Sequence, residues 1–234
     1  DERYWAAAEL FRTTGDERYH EYFMRICKKE NFGRYELGWA DVGGYGTIAY
    51  LFTDAKKANA TLRQELLDGF FDKAENLLNL SNKDGYGISL THDQYIWGSN
   101  MVLLNNAMHL IIAHMLNPNN KYILAAQDHL HYIFGRNALN QCYVTGFGSK
   151  PVTAPHHRPS EADGIEQPVP GMLAGGPNSY LQDKYALEYL QGQPPARCFI
   201  DAVGSYSTNE IAIYWNSPAV FVTGYFDKGL NTVK

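Results

Sequence analysis

Apolar positions recur at helical spacing through most of the first 134 residues, and that rhythm alone divides the stretch into helices. Residues 2–13 carry Tyr4, Trp5, Ala7, Ala8 and Phe11 among charged positions, which predicts a helix with those side chains in the core. Thr14-Gly15 ends it and Asp16 caps the next, where Tyr19, Tyr22, Phe23 and Ile26 mark one face up to about Lys29. Two helices joined by so short a turn make an antiparallel hairpin. After a glycine-rich loop (Gly33, Gly38, Gly43, Gly44), a third helix is expected over 47–52. A fourth follows over 58–80, with Leu62, Leu66, Phe70 and Leu77 facing the core. A polar loop, 81–97, leads to a fifth helix over 99–115; Asn117-Pro118-Asn119 breaks it, and a sixth covers 121–134.

No segment alternates with period two over a useful length, so no sheet is predicted and the fold class is all-α, helical hairpins in series. From 135 to 208 the character changes to Gly, Pro, Asn, Asp and His, with short helical pieces at most. A stretch this long without regular structure reads as functional loops, because it holds reactive types and lacks linker-like repetition. A final helix is expected over 209–226. One domain thus has three parts: helices to 134, a loop region over 135–208, and a closing helix.

Composition narrows the function classes. The net charge is −5 and the isoelectric point about 5.9, against the basic face that nucleic acid requires. Apolar stretches are interrupted too often for a membrane-spanning helix. The 17 Tyr, 11 Phe and 4 Trp supply core packing first and sugar-stacking faces second. Cys27, Cys142 and Cys198 have neither a disulfide framework's number nor a metal site's spacing. His92, His109, His114, His129 and His131 also lack ligand spacing, so surface or hydrogen-bonded histidines are expected rather than a metal centre. The chain opens directly in helical sequence with no leader pattern, as expected of a piece of something longer.

Chemistry gathers in two stretches. The first is Phe199–Ser217, FIDAVGSYSTNEIAIYWNS, where Asp201 and Glu210 flank Tyr206 and an apolar run ending in Trp215. Glycosidases place carboxylates beside aromatic faces, because burial against a ring favours the protonated acid. Read blandly, Asp201 is a turn residue and Glu210 a first-turn helix acid complementing the dipole. The second stretch is Tyr143–Arg158, YVTGFGSKPVTAPHHR. His157 there reads as a loop residue bonded to the backbone.

Together the two stretches resemble glycoside hydrolase family nine, the inverting cellulases built on an (α/α)6 barrel. Thr145, Gly148, Lys150, Pro155, His156 and Arg158 follow one family pattern in order and spacing. Phe199, Asp201, Tyr206, Glu210, Ala212, Asn216 and Ser217 follow the other. GRNALNQ (135–141), PVPGMLAGGPN (168–178) and WAAAEL (5–10) resemble the family as well; Cys142 departs from it slightly. The resemblance implies Glu210 as general acid and Asp201 as an active-site aspartate that orients its neighbours. It also implies His156 and Arg158 as donors to sugar hydroxyls, and Trp97 (in WGSN), Tyr206 and Trp215 as aromatic walls about the cleft. The implied activity is hydrolysis of β-1,4-glucosidic bonds in cellulose or a related β-glucan, outside the cell. No cofactor is required. Calcium occurs in the family as a structural ion, and Asp84 and Asp93 are the nearest candidates, without a dense oxygen-ligand loop.

An inverting enzyme also needs a carboxylate base about 6.5–9.5 Å from the acid. The family takes it from an Asp-Ala-Gly-Asp segment, of which Asp41-Val42-Gly43-Gly44 is the only echo here. Asp163, Glu166 and Asp183 are loose carboxylates in the loop region. The helices expected are about half of the twelve in such a barrel. The sequence therefore reads as the C-terminal half of the catalytic domain, expected to pair with the missing N-terminal half or with a copy of itself. A non-catalytic glycan-binding half-domain, or a fragment inactive without its other half, is the rival reading, and a helical interaction domain a third.

Overall fold

The computed structural model describes residues 1–29 and 32–227. The chain divides into two compact units, residues 1–76 and those from 77 onward. The first holds α1 (Glu2–Thr14), α2 (Glu17–Lys29), α3 (Gly43–Leu51) and α4 (Ala60–Ser81) as far as Asn76. Gly15 at φ 69° closes α1, its N–H donating to the Phe11 carbonyl, and α1 packs on both α2 and α3. A column of stacked rings fills this core, Tyr4 on Phe23 at 4.3 Å and Phe23 on Tyr50 at 4.4 Å.

Two expectations fail here for packing reasons. Trp5 is not core: it stands at the surface, stacked on Tyr45 and donating to Glu9. α3 begins four residues before the predicted start, because its glycines serve close packing; a Cβ at Gly46 would lie 2.5 Å from the Tyr4 ring. Asp41, the echo of the family's base segment, instead accepts from the Gly33 and Gly43 N–H groups and ties its own loop.

In the second unit, α5 (Ser99–Leu116) is buried on nearly every side and packs against α6 (Asn120–Ile133) and α10 (Ile213–Phe226). An apolar helix without a polar face belongs at a centre, and α5 has that pattern. Between α6 and α10 lie the short helices α7 (Arg158–Ala162), α8 (Lys184–Tyr189) and α9 (Tyr206–Asn209). No strand forms among the described residues, but three isolated bridges do: Val144–Leu173, Ala174–Ile211 and His156–Glu210. All three cysteines are free and buried. No helix of the described residues is long and apolar enough to cross a membrane. Nor does any group of three His, Cys, Asp or Glu among them cluster as a metal site; Asp84 accepts from the N–H groups of Tyr86 and Ile88, and Asp93 from Thr91.

A buried polar chain fastens the segment before Trp97 to α5 and α6. Asn106 donates to Ser89 Oγ, which donates to His129 Nε2 at 2.7 Å, while His129 Nδ1–H donates to the Ala125 carbonyl. Burial pushes the His129 ring down to about 4, the Ala125 bond opposing it. The folded ring is therefore neutral where an unfolded one, titrating near 6.5, takes a proton. Stability is full above pH ~6.5 and falls toward pH ~4, by about 3 kcal/mol in all. Urea midpoints at pH 7 and 4.5 check this: His129→Gln is expected to flatten the dependence. Parallel acid losses in both proteins would exclude His129 as its source.

Candidate active site

The site is assembled from four chain segments that meet without forming a sheet. Residues 172–176 run through its middle: the Ala174 N–H bonds the Tyr143 carbonyl, Gly175 N–H the Glu210 carbonyl, and Gly176 N–H the Thr208 carbonyl. On Glu210's other side the His156 N–H donates to the Asn209 carbonyl at 2.9 Å. Glu210 is thus gripped by backbone on both flanks, with φ −66° and ψ 151°. It is not a first-turn helix acid, and the closing helix starts at Ile213 rather than 209, because residues 210 and 211 spend their backbone on these cross-chain bridges.

The half-buried carboxylate of Glu210 faces aromatic side chains. Trp97 Nε1–H donates to its Oε2 at 3.1 Å, and the Trp97 ring lies 5.5 Å from that of Tyr206. Tyr206 meets His156 edge-on at 5.9 Å. His156 Nδ1–H donates to the Val203 carbonyl at 2.7 Å, which fixes the tautomer and leaves Nε2 for a ligand. Trp97, His156, Tyr206 and Glu210 therefore form one group. A carboxyl group placed beside rings in this way can exchange a proton with a ligand that stacks on them.

Asp201 stands behind this group. Its Oδ2 accepts from the Thr153 N–H and hydroxyl, and its Oδ1 from the Ala154 N–H and Asn209 Nδ2. Asn209 also donates to the Ala154 carbonyl. Asp201 thereby couples the loop that carries His156 to the residue that precedes Glu210, an orienting geometry. Arg158 opens α7 and is exposed, and His157 caps that helix, its Nδ1 accepting from Ser160.

Trp215 differs from the expected cleft wall. It is 2% exposed and sits beneath the site, against Gly98 and Gly175. Gly98, next to Trp97, has φ 88°, and a Cβ there would lie 2.9 Å from the Trp215 ring. Two requirements coincide at this glycine, a left-handed backbone and a close ring. Gly98→Ala is expected to cost about 2–4 kcal/mol in urea denaturation; a cost below about 0.5 kcal/mol would mean that the ring yields freely.

Sequence comparison agrees with this geometry. The model of glycosyl hydrolase family 9 matches residues 1–223. The chain belongs to that family. A cellodextrinase of Butyrivibrio fibrisolvens is 38% identical over 94% of this chain and 42% of its own length. Endoglucanase D of Acetivibrio thermocellus is 36% identical over 97% of this chain and 34% of its own. Among solved structures, AaCel9A in complex with cellobiose-like isofagomine superposes with a TM-score of 0.90 at 43% identity, over 95% of this chain and 42% of that one. The chain therefore spans about two fifths of such relatives, and its all-α fold is part of the family 9 (α/α)6 barrel.

Within family 9 terms, the motif residues divide into two kinds. Trp97, His156, Tyr206 and Glu210 converge. Thr145, Gly148 and Lys150 organise turns: Thr145 Oγ1–H donates to the Val169 carbonyl and accepts from the Met172 N–H, and Gly148 packs on Cys142. Asn216 accepts from the Leu173 N–H and donates to the Ala212 carbonyl, fixing the entry to α10. Asp183 is a residue whose role the motifs do not reveal. It is 3% exposed and accepts from the N–H groups of Ala186 and Ser207 and the hydroxyls of Ser205 and Ser207. Burial alone would raise its carboxyl, but the hydrogen bonds led by the Ser207 hydroxyl outweigh it and hold it below the ordinary range.

Proposed function

We propose that the chain supplies the general-acid half of an inverting β-1,4-glucan hydrolase acting on cellulose or a related β-glucan. The observation that carries this is Glu210, held by Trp97 and flanked by His156 and Tyr206. Glucose units stack on the Trp97 and Tyr206 faces while Arg158 donates to sugar hydroxyls and His156 Nε2 accepts from one. Glu210 gives its proton to the glycosidic oxygen as the C1–O bond breaks, and water attacks C1 from the opposite face, its proton passing to a carboxylate base. The names cellodextrinase and endoglucanase among the relatives, and a cellobiose-like ligand in one solved structure, support this substrate class. The reading includes an extracellular location, since an insoluble polymer does not enter a cell.

The base comes from outside the described residues. Asp201 and Asp183 are spent on hydrogen bonds, Asp41 ties its loop, Asp163 accepts from the Ile165 N–H in an exposed turn, and Glu166 is exposed in the same segment. The covering partner is the remainder of a family 9 catalytic domain. α10 supports this: its 14 residues carry no charge, yet Ile213 is 93% and Val220 72% exposed. Beside them a groove of about 320 Å³ is lined by Phe134, Phe147, Leu173 and Val220. Apolar surface of this extent calls for a partner.

Three measurements test the reading. Calorimetric titration of the chain with cellobiose is expected to show binding. Adding an N-terminal family 9 catalytic segment is expected to give reducing sugar from a soluble cellulose derivative, the product first appearing as the α-anomer by NMR. Binding without hydrolysis would favour a glycan-binding module, and neither would end the proposal. Light scattering is expected to show association beyond 26.4 kDa; a well-behaved monomer would refute the uncovered α10 face, and a symmetric dimer would replace the domain remainder with a second copy.

A further inference from the structure

The aromatic surface does not stop at Tyr206. Tyr185 and Tyr189, on successive turns of α8, are 44% and 56% exposed, with ring centroids 6.0 Å apart. Tyr185 lies directly on Gly204, where a Cβ would come within 2.3–2.8 Å of three of its ring atoms. Gly204 separates Val203, whose carbonyl holds His156, from the turn that presents Tyr206. The surface therefore runs from Trp97 to Tyr206, across the bare backbone of Gly204, and on to Tyr185 and Tyr189.

The support under these rings is rigid. Asp183 caps α8 through the Ala186 N–H and, with its other oxygen, takes the Ser205 hydroxyl and both Ser207 donors. α8 and the Tyr206 turn are thus fastened through one buried carboxylate. Tyrosine rings offer a flat apolar face at low conformational cost, and here little freedom remains to be lost on binding. Lys184 and Glu188 flank them with opposite charges, so the surface selects for no charged ligand. A neutral, ring-faced polymer fits it.

We propose that Tyr185 and Tyr189 form a further glucan subsite, stacking sugar units of a β-glucan chain that extends beyond the Glu210 group. The proposal rests on the β-glucan reading above and adds a length dependence to it. Calorimetric titration with cellobiose and with cellohexaose tests it on wild type, Tyr185→Ala/Tyr189→Ala and Tyr185→Phe/Tyr189→Phe. The alanine pair is expected to weaken cellohexaose roughly tenfold and leave cellobiose unchanged, while the phenylalanine pair, which keeps both rings, retains at least half the wild-type affinity. Unchanged cellohexaose affinity in the alanine pair would overturn the subsite while leaving the β-glucan reading intact. Equal weakening of both sugars would overturn it too, assigning the rings to support of the turn. If wild type binds neither sugar, the β-glucan reading falls and the subsite with it.

Discussion

Glu210→Gln, assayed with the N-terminal segment present, is expected to lower hydrolysis of a soluble cellulose derivative about 10²–10⁴-fold while cellobiose affinity changes less than about threefold. The substitution keeps an oxygen to accept from Trp97 Nε1–H and keeps the backbone grip from Gly175 and His156, so the pocket's shape is retained. It removes only the transferable proton. The selective check uses leaving groups. An aryl cellobioside with a good leaving group needs little protonation, so its hydrolysis is expected to fall far less than that of cellulose. An equal loss on both substrates would show that the substitution disturbs the site generally, and equal hydrolysis by wild type and variant would remove Glu210 from the mechanism. Trp97→Phe complements this: it keeps an aromatic ring and deletes the indole donor to Glu210, so affinity is expected to hold while the rate falls.

The helices were legible wherever one apolar stripe faced one core. Leu62, Leu66, Phe70 and Leu77 recur at helical spacing and all are buried, and α5 and α6 fall within one residue of their expected bounds. Legibility ended where tertiary packing overrides local preference. Gly43 and Gly44 read as loop and the helix was expected only from Thr47, yet α3 includes Gly43, Gly44 and Gly46 and needs them to admit neighbouring backbone and the Tyr4 ring. Trp5 and Trp215 reversed roles, one exposed and the other a wedge beneath the site, because position in a periodic run does not say what the partner element brings. The candidate site divides the same way. Glu210, His156 and Tyr206 were singled out by the two family-like patterns and Trp97 by the resemblance of its WGSN stretch, and the four lie together although Trp97 stands 113 residues before the carboxylate it donates to. Glu210's extended backbone was not readable, since the bridges that hold it come from residues 156 and 174–175. Asp183 was hidden for the same reason: its donors lie 22 and 24 residues downstream. A local signal did exist, an Asp placed to cap α8, and it explains only one of the four bonds.

Asp183→Ala is therefore expected to have the largest effect on stability, about 3–5 kcal/mol. The substitution strands two N–H groups and two hydroxyls in a region with almost no water access, and each unmade bond costs about 1–3 kcal/mol, partly relieved by relaxation. The folded carboxyl sits below its ordinary range, so its contribution is present above the unfolded value, near 3.9, and is lost as pH falls through the lower folded one. Asp183 and His129 consequently act in different windows. Loss of stability between pH 6.5 and 4 belongs to His129, and the Asp183 share fails only below that. Urea denaturation of both variants across pH 3–7 separates them. Asp183→Asn retains one acceptor oxygen and is expected to recover part of the loss at neutral pH while abolishing the acid step below pH 4. The local consequence is distinct from the global one. With the carboxylate gone, the turn of Ser205 and Ser207 loses its tie to α8, and Tyr206 and Glu210 at its two ends lose their registry. Sugar affinity is then expected to drop in Asp183→Ala even at temperatures where the fold persists. Wild-type affinity in a folded Asp183→Ala protein would confine Asp183 to stability and leave the placement of Glu210 to the backbone bridges alone.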